Sequence, residues 1–261
     1  MDSLLGHLPS VKCYLDDVVL ATAGSLQDHL DQLRNILQIF KQNKLHVNIT
    51  KSAFMQKETK YLGHIVNGQE IKPDPDKLAA VKTYRVPKTA QEVRRFLGFV
   101  GYYRRFVQDF SHIAQPLTAL TRKGTRVVWG HNEQAAFDEL RKRLTAAPIL
   151  KMPDLSQPFY IAADASTRAL GRILLQRNAE GHLQPVAYGS RQLKPAETNY
   201  MPWERELLAL VDAVRAWRVY LHGTTADDPV TLITDHAPLK HLMTSDATCY
   251  RQTHWKDYLQ Q

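Results

Sequence analysis

Apolar positions along the chain follow two periods. Residues 11–23, VKCYLDDVVLATA, place apolar runs on either side of a polar step and read as strand, tight turn, strand, with Leu-Asp-Asp supplying the turn. From Ser25 the spacing changes to three and four: Leu26, Leu30, Leu33, Leu37 and Phe40 share one face of a predicted helix. FMQKETKYLGHIVNGQEIKP returns to strand character and predicts a second hairpin turning at Asn67-Gly68. The proline-punctuated KPDPDK marks a junction after which helical spacing resumes.

The next stretch, TAQEVRRFLGFVGYYRRFVQDFSHIAQPLTAL, predicts helices in which aromatic residues alternate with arginine. Thr89 caps the first of them with Glu92 three residues on, and about two thirds of the aromatics are expected in the core. A further amphipathic helix, NEQAAFDELRKRLTAAPIL, opens at Asn132 and closes before Pro148. Beyond it, strands are predicted at QPFYIAADAS, GRILLQRN and LQPVAYGS, then a helix at WERELLALVDAVRAWRVYL and a strand at VTLITDHAPL, a mixed α/β unit.

At 261 residues and 44% hydrophobic content the chain is long enough for one or two buried cores. A net charge of +8 favours polyanionic partners through long-range attraction. Cys13 and Cys249 stand far apart with no CxxC, which argues against a disulfide framework or a zinc site. No apolar run approaches the roughly 18 residues of a spanning helix, so no membrane partner is expected, and with no signal-peptide pattern an intracellular, reducing compartment follows.

Two groups of carboxylates are candidates for chemistry. Asp16 and Asp17 sit at the tip of the first hairpin. The plain reading is a side-chain-stabilised turn. The other starts from the apolar, β-branched flanks: if those strands are buried, a paired negative charge at their edge is costly unless a hard divalent cation neutralises it. The second group is Asp164, ending one predicted strand, Asp235, ending another, and a glutamate in the first turns of the helix between them. Three such acids could converge on a pair of Mg²⁺ ions for phosphodiester cleavage. Periodicity does not choose between Glu204 and Glu206, since both flank the apolar face of Trp203, Leu207, Val211 and Val214.

In order along the chain, YLDD, HLDQLRNIL, YLGHIV, IKPDPDKLAAV, VPKTAQEVRRFLGFVGYYRRFV, AQPLTAL, AFDELRKRLTAAPIL, ADAS, NYMPWERELLAL, YLHG and TDHAPL resemble the Pol polyprotein of gypsy-type LTR retrotransposons. The resemblance implies an α+β and α/β chain: a reverse transcriptase palm end over 1–71, thumb or connection helices over 72–146, and a ribonuclease H-like mixed-sheet domain over 147–261. It implies RNA-directed DNA polymerase and ribonuclease H ancestry, with Mg²⁺ or Mn²⁺ as cofactor and RNA–DNA hybrid or primer-template as partner. The setting would be a cytoplasmic virus-like particle or the nucleus; oligomeric state is not implied. Residue by residue, Asp16 and Asp17 match the second and third polymerase carboxylates, and Tyr61, Leu62, Gly63 and His64 match the primer-gripping hairpin. Arg94, Arg95, Arg104 and Arg105 fall in the thumb-like segment, where arginines would touch phosphates. Asp164 and Asp235 match the first and third ribonuclease H acids. The second lies three residues before the alanine of the LA step, which selects Glu206.

Against that pattern the chain reads as truncated at both ends. The first palm aspartate and the fingers are missing, so polymerisation by this chain alone is not expected, and a fourth ribonuclease H aspartate and its last helix are missing too. Ala163 replaces the usual threonine of TDAS, and Arg172 follows Gly171 where a small residue is common. The rival expectations are a nonenzymatic nucleic-acid-binding remnant and a fragment without function.

Overall fold

A computed structural model describes residues 1–222, 229–235, 239 and 250–260. The chain divides into two compact units, Met1–Asp74 and Pro75–Gln261. Among the described residues no helix is long and apolar enough to cross a membrane. Cys249 and residues 236–238 of TDHAPL lie outside the described residues.

The first unit opens with a short helix α1 (Asp2–Leu5) and the hairpin β1 (Val11–Tyr14) and β2 (Asp17–Leu20), closed by Leu15 and Asp16, with Tyr14 opposite Asp17. Helix α2 (Leu26–Gln42) starts where the spacing changes. Ser25 caps it: its hydroxyl accepts the Asp28 N–H at 3.2 Å, while the Asp28 carboxylate accepts the Ser25 N–H at 2.8 Å. The small core of this unit joins Leu5, Val11 and Ile36, with Ile39 and Phe40 packed against them. This differs from the predicted helix face. Leu26 and Leu37 are exposed, because the hairpin meets α2 along the Ile36 side.

The stretch read as one hairpin is a three-stranded meander of β3 (Thr59–Tyr61), β4 (His64–Val66) and β5 (Glu70–Pro73). Asn67 shapes the second turn, its side-chain oxygen accepting the N–H groups of Gln69 and Glu70 at 2.8 and 2.7 Å. The unpredicted first turn is Leu62-Gly63, both with positive φ (46° and 69°) as a two-residue hairpin loop of this kind requires.

The second unit begins with α3 (Pro75–Lys82), α4 (Ala90–Tyr102), α5 (Phe110–Ile113), α6 (Gln115–Ala119) and α7 (His131–Thr145). Thr89 caps α4, accepting the Glu92 N–H at 3.2 Å, and Glu92 reaches back to the Lys88 N–H at 2.7 Å. Helix α7 starts ahead of Asn132: Gly130 is the cap residue, its N–H held by Glu133 at 2.9 Å. Phe96, Tyr103, Phe106 and Phe110 are buried, while Tyr102 is exposed. Phe96 and Phe137 meet at 4.7 Å between ring centroids and tie α4 to α7.

After the short strand β6 (Leu150–Lys151), β7 (Tyr160–Ala165), β8 (Ala169–Arg177) and β9 (Leu183–Gln192) form an antiparallel meander. Helix α8 (Pro202–Ala216) is followed by α9 (Arg218–Leu221). Then β10 (Thr231–Ile233) joins β7 in parallel, giving the order β10-β7-β8-β9. Helix α10 (Tyr250–Gln260) ends the described chain. Ile161, Ala163, Leu170, Leu174 and Val186 pack with Leu207, Leu210 and Val211 of α8 in one core, so the sheet face toward α8 is apolar and the helix holds a fixed place over it.

Candidate metal centre

Alternation along β7 sends Ile161 and Ala163 into the core and leaves Asp164 exposed at the strand's end. The parallel register pairs Thr231 with Tyr160 and Ile233 with Ala162; continued by two residues, it sets Asp235 beside Asp164. Glu206 reaches the same place from the second turn of α8. The structure separates the two glutamates that periodicity left open. Glu204 accepts the Met201 N–H at 2.9 Å and serves the helix N-terminus. Glu206 faces the two aspartates, accepts a hydrogen bond from the Ala165 backbone, and keeps Oε2 buried with no partner.

Burial, reinforced by the charges of Asp164 and Asp235, raises the Glu206 carboxyl to about 7. An unpartnered buried carboxylate oxygen beside two further acids is an arrangement a hard cation would complete. Among the described residues no group of three or more His, Cys, Asp or Glu is already arranged to hold a metal ion; the orphaned Glu206 oxygen is the feature that Mg²⁺ or Mn²⁺ would satisfy on binding. A stability signature follows. Below pH 4.5 this group favours the metal-free fold, and that contribution is lost as pH rises through about 7, where the carboxylate must ionise among like charges. Mg²⁺ relieves the penalty only for the ionised form. The expected rise in Tm on adding Mg²⁺ is larger at pH 8 than at pH 5 and is lost in Glu206→Gln; equal rises at both pH values, measured by scanning fluorimetry, contradict it.

The first hairpin presents its acids differently. Asp16 and Asp17 are both exposed, so the burial argument for a cation at that edge does not hold. What is unusual is the backbone: Leu15 has φ 53°, and the residue is 78% exposed. A left-handed leucine costs about 1–2 kcal/mol, a strain stored at a turn that carries two carboxylates. Tyr61 and His64 face each other across the Leu62-Gly63 turn, and His64 Nδ1 donates to the Leu62 carbonyl at 2.7 Å.

The four arginines divide. Arg94 and Arg95 are exposed on α4. Arg104 and Arg105 instead donate to the carbonyls of Ser190 and Val186 on β9, the latter at 3.4 Å, and the Ser111 N–H reaches the Ser190 hydroxyl at 2.9 Å. These two guanidinium groups join the helical segment to the sheet, while Arg104 stays exposed and Arg105 half-buried.

One constellation went unread in the sequence. Asp212 of α8 accepts from Arg172 on β8 and from Arg191 on β9, and Arg191 also grips Glu197 at 2.6 and 3.1 Å. The available signal was a lone carboxylate between Val211 and Ala213, both fully buried.

Residues 1–66 match the family described as reverse transcriptase (RNA-dependent DNA polymerase), and residues 129–227 match the RNase H-like domain found in reverse transcriptase. The chain is 36% identical to the retrovirus-related Pol polyprotein from transposon 297 of Drosophila melanogaster, with 93% of this chain aligned to 22% of that polyprotein. It is 30% identical to the transposon Tf2-3 polyprotein of Schizosaccharomyces pombe, 100% of this chain against 20% of that one. This chain is similar to the reverse transcriptase/ribonuclease H-like region of retrotransposon Pol polyproteins. The region spans about a fifth of the length of these curated relatives. In fold it resembles the foamy viral protease-reverse transcriptase dRH solved with double-stranded DNA, with TM-score 0.83, 24% identity and coverage of 100% of this chain and 46% of that one. It also resembles the foamy viral protease-reverse transcriptase solved with RNA/DNA hybrid, with TM-score 0.78, 24% identity, and 99% and 35% coverage. Asp16, Asp17 and Tyr61–His64 fall in the first matched segment of this region, and Asp164 and Glu206 in the second. Arg94, Arg95, Arg104, Arg105 and Asp235 lie outside both.

Proposed function

We propose that this reverse transcriptase/ribonuclease H-like region derives from a gypsy-type element and cleaves the RNA strand of RNA–DNA hybrids, with Asp164, Glu206 and Asp235 as its metal-binding acids. The observation that carries the reading is Glu206, half-buried with its Oε2 buried and unpartnered, and crowded by Asp164 and Asp235. These three residues would hold Mg²⁺ or Mn²⁺, which when bound supplies an activated water and neutralises charge at the scissile phosphate. The chain's own part is to deliver the acids on rigid elements, two from adjacent parallel strands and one from a helix packed over them. The Ala165 N–H orients Glu206.

In the same reading residues 1–71 act as palm end, 72–146 as thumb helices and 147–261 as the nuclease part. Asp16 and Asp17 are the polymerase acids, and the hairpin Tyr61, Leu62, Gly63 and His64 meets the primer. Arg94, Arg95, Arg104 and Arg105 are the phosphate contacts in this reading.

The test is cleavage of a labelled RNA–DNA hybrid by the purified chain in Mg²⁺ and then Mn²⁺, beside duplex DNA of the same sequence. Metal-dependent cutting confined to the RNA strand supports the nuclease. Salt-sensitive hybrid binding with no cutting in either metal overturns it and leaves the binding remnant, which the net charge of +8 favours.

A further inference from the structure

We propose that Asp212 is a positioning residue for the Asp164–Glu206–Asp235 site. It would act by tying α8 to β8 and β9 through Arg172 and Arg191, and so fix where the helix delivers Glu206. The inference rests on the metal-binding reading above.

A carboxylate whose side chain is only 18% exposed is costly unless paired, and Asp212 is paired twice, with Arg172 on one strand and with Arg191 Nε at 2.6 Å on the next. Both arginines are themselves held. Arg191 is gripped by Glu197, whose carboxylate also accepts the Lys194 N–H at 2.8 Å. Arg172 lies with its guanidinium carbon 5.5 Å from the Trp217 ring centroid, and its side chain covers Gly189 so closely that a Cβ there would stand 2.7 Å from Nε. The arginine that follows Gly171 is thus lodged against Gly189, Trp217 and Asp212, with its Nε buried and without a hydrogen-bond partner.

The bridge differs in kind from the rest of the α8 contact. Leu207, Leu210 and Val211 meet the sheet through apolar packing, which is non-directional and allows a helix to rotate or slide by a fraction of a turn. Charge-assisted hydrogen bonds from two strands to one carboxylate are directional. Their anchor is close to the site. Arg172 pairs across the ladder with Ala163, and its neighbour Gly171 pairs with Asp164. Glu206 lies six residues before Asp212 on the same helix, about 9 Å along its axis. Fixing Asp212 against the strand next to Asp164 thus fixes the separation between the Glu206 and Asp164 carboxylates.

The experiment measures Mn²⁺ affinity by calorimetry on the full chain for wild type, Asp212→Asn, Arg172→Met and Glu206→Gln, with the metal-free Tm of each. Asp212→Asn is expected to weaken Mn²⁺ binding by about 10- to 100-fold, the range typical of residues that orient metal ligands. Arg172→Met, which leaves Asp212 paired with Arg191, is expected to keep the fold and give a smaller loss in the same direction; it decides the matter if Asp212→Asn does not fold. Wild-type affinity with a lowered Tm in these variants means a purely structural role and overturns the proposal. Glu206→Gln separates the two levels. If it binds Mn²⁺ as wild type does, the metal site itself is wrong; if it loses binding while Asp212→Asn and Arg172→Met do not, only the positioning role falls.

Discussion

On the proposed reading, Asp164→Asn is expected to lower metal-dependent hybrid cleavage by more than about 100-fold while leaving hybrid binding at low salt intact. Loss of a residue that only orients a metal ligand costs about 10- to 100-fold, so loss of a ligand costs more. The exchange is nearly isosteric and Asp164 is exposed at the end of β7, so neither the core nor the ladder opposite Gly171 is disturbed. It also removes the charge that, after burial, contributes most to raising Glu206, so the Glu206 carboxyl moves back toward its ordinary range and the dependence of Tm on pH flattens. Cleavage is read by gel and binding by anisotropy over a salt series. A variant that cuts at the wild-type rate removes Asp164 from the site, and one that loses binding as well shows that the substitution acts through more than metal.

Phe137→Ala produces the largest loss of stability expected from one side chain in the helical segment, about 3–5 kcal/mol. Phe137 is fully buried, meets Phe96 at 4.7 Å and Trp129 at 5.9 Å, and carries the Arg141 guanidinium 5.2 Å from its centroid. Truncation opens a cavity between α4 and α7 and deprives each neighbour of its partner. Phe137→Leu keeps more of the volume and is expected to cost clearly less. Urea unfolding followed by tryptophan fluorescence measures both. Because Arg104, Arg105 and Ser111 hold this segment to β9, loosening it also lowers amide-exchange protection along that strand.

Alternation and turn chemistry made much of the fold legible. VKCYLDDVVLATA folds as the hairpin that its pattern describes, and the order of three strands, helix and strand after residue 157 is the order found. Local rules failed where the decisive partner is distant or the turn residue is atypical. Leu62 carries no turn signal, yet it adopts φ 46° beside Gly63. Leu26 and Leu37 have helical spacing, but the hairpin settles on Ile36. In the candidate site, Asp164 and Asp235 stood out as acids at strand ends, whereas the choice of Glu206 over Glu204 depends on which one caps α8, a matter of side-chain geometry that periodicity does not encode. The Arg172–Asp212–Arg191 bridge joins three elements that no local window contains together.

The parallel pairing of β10 with β7 also sets a timetable. Asp164 and Glu206 come from segments made before Thr231–Ile233, and Asp235 arrives only when that strand has been made and found its place beside β7. In the proposed reading the three acids therefore come together only after the sheet has gained its fourth strand.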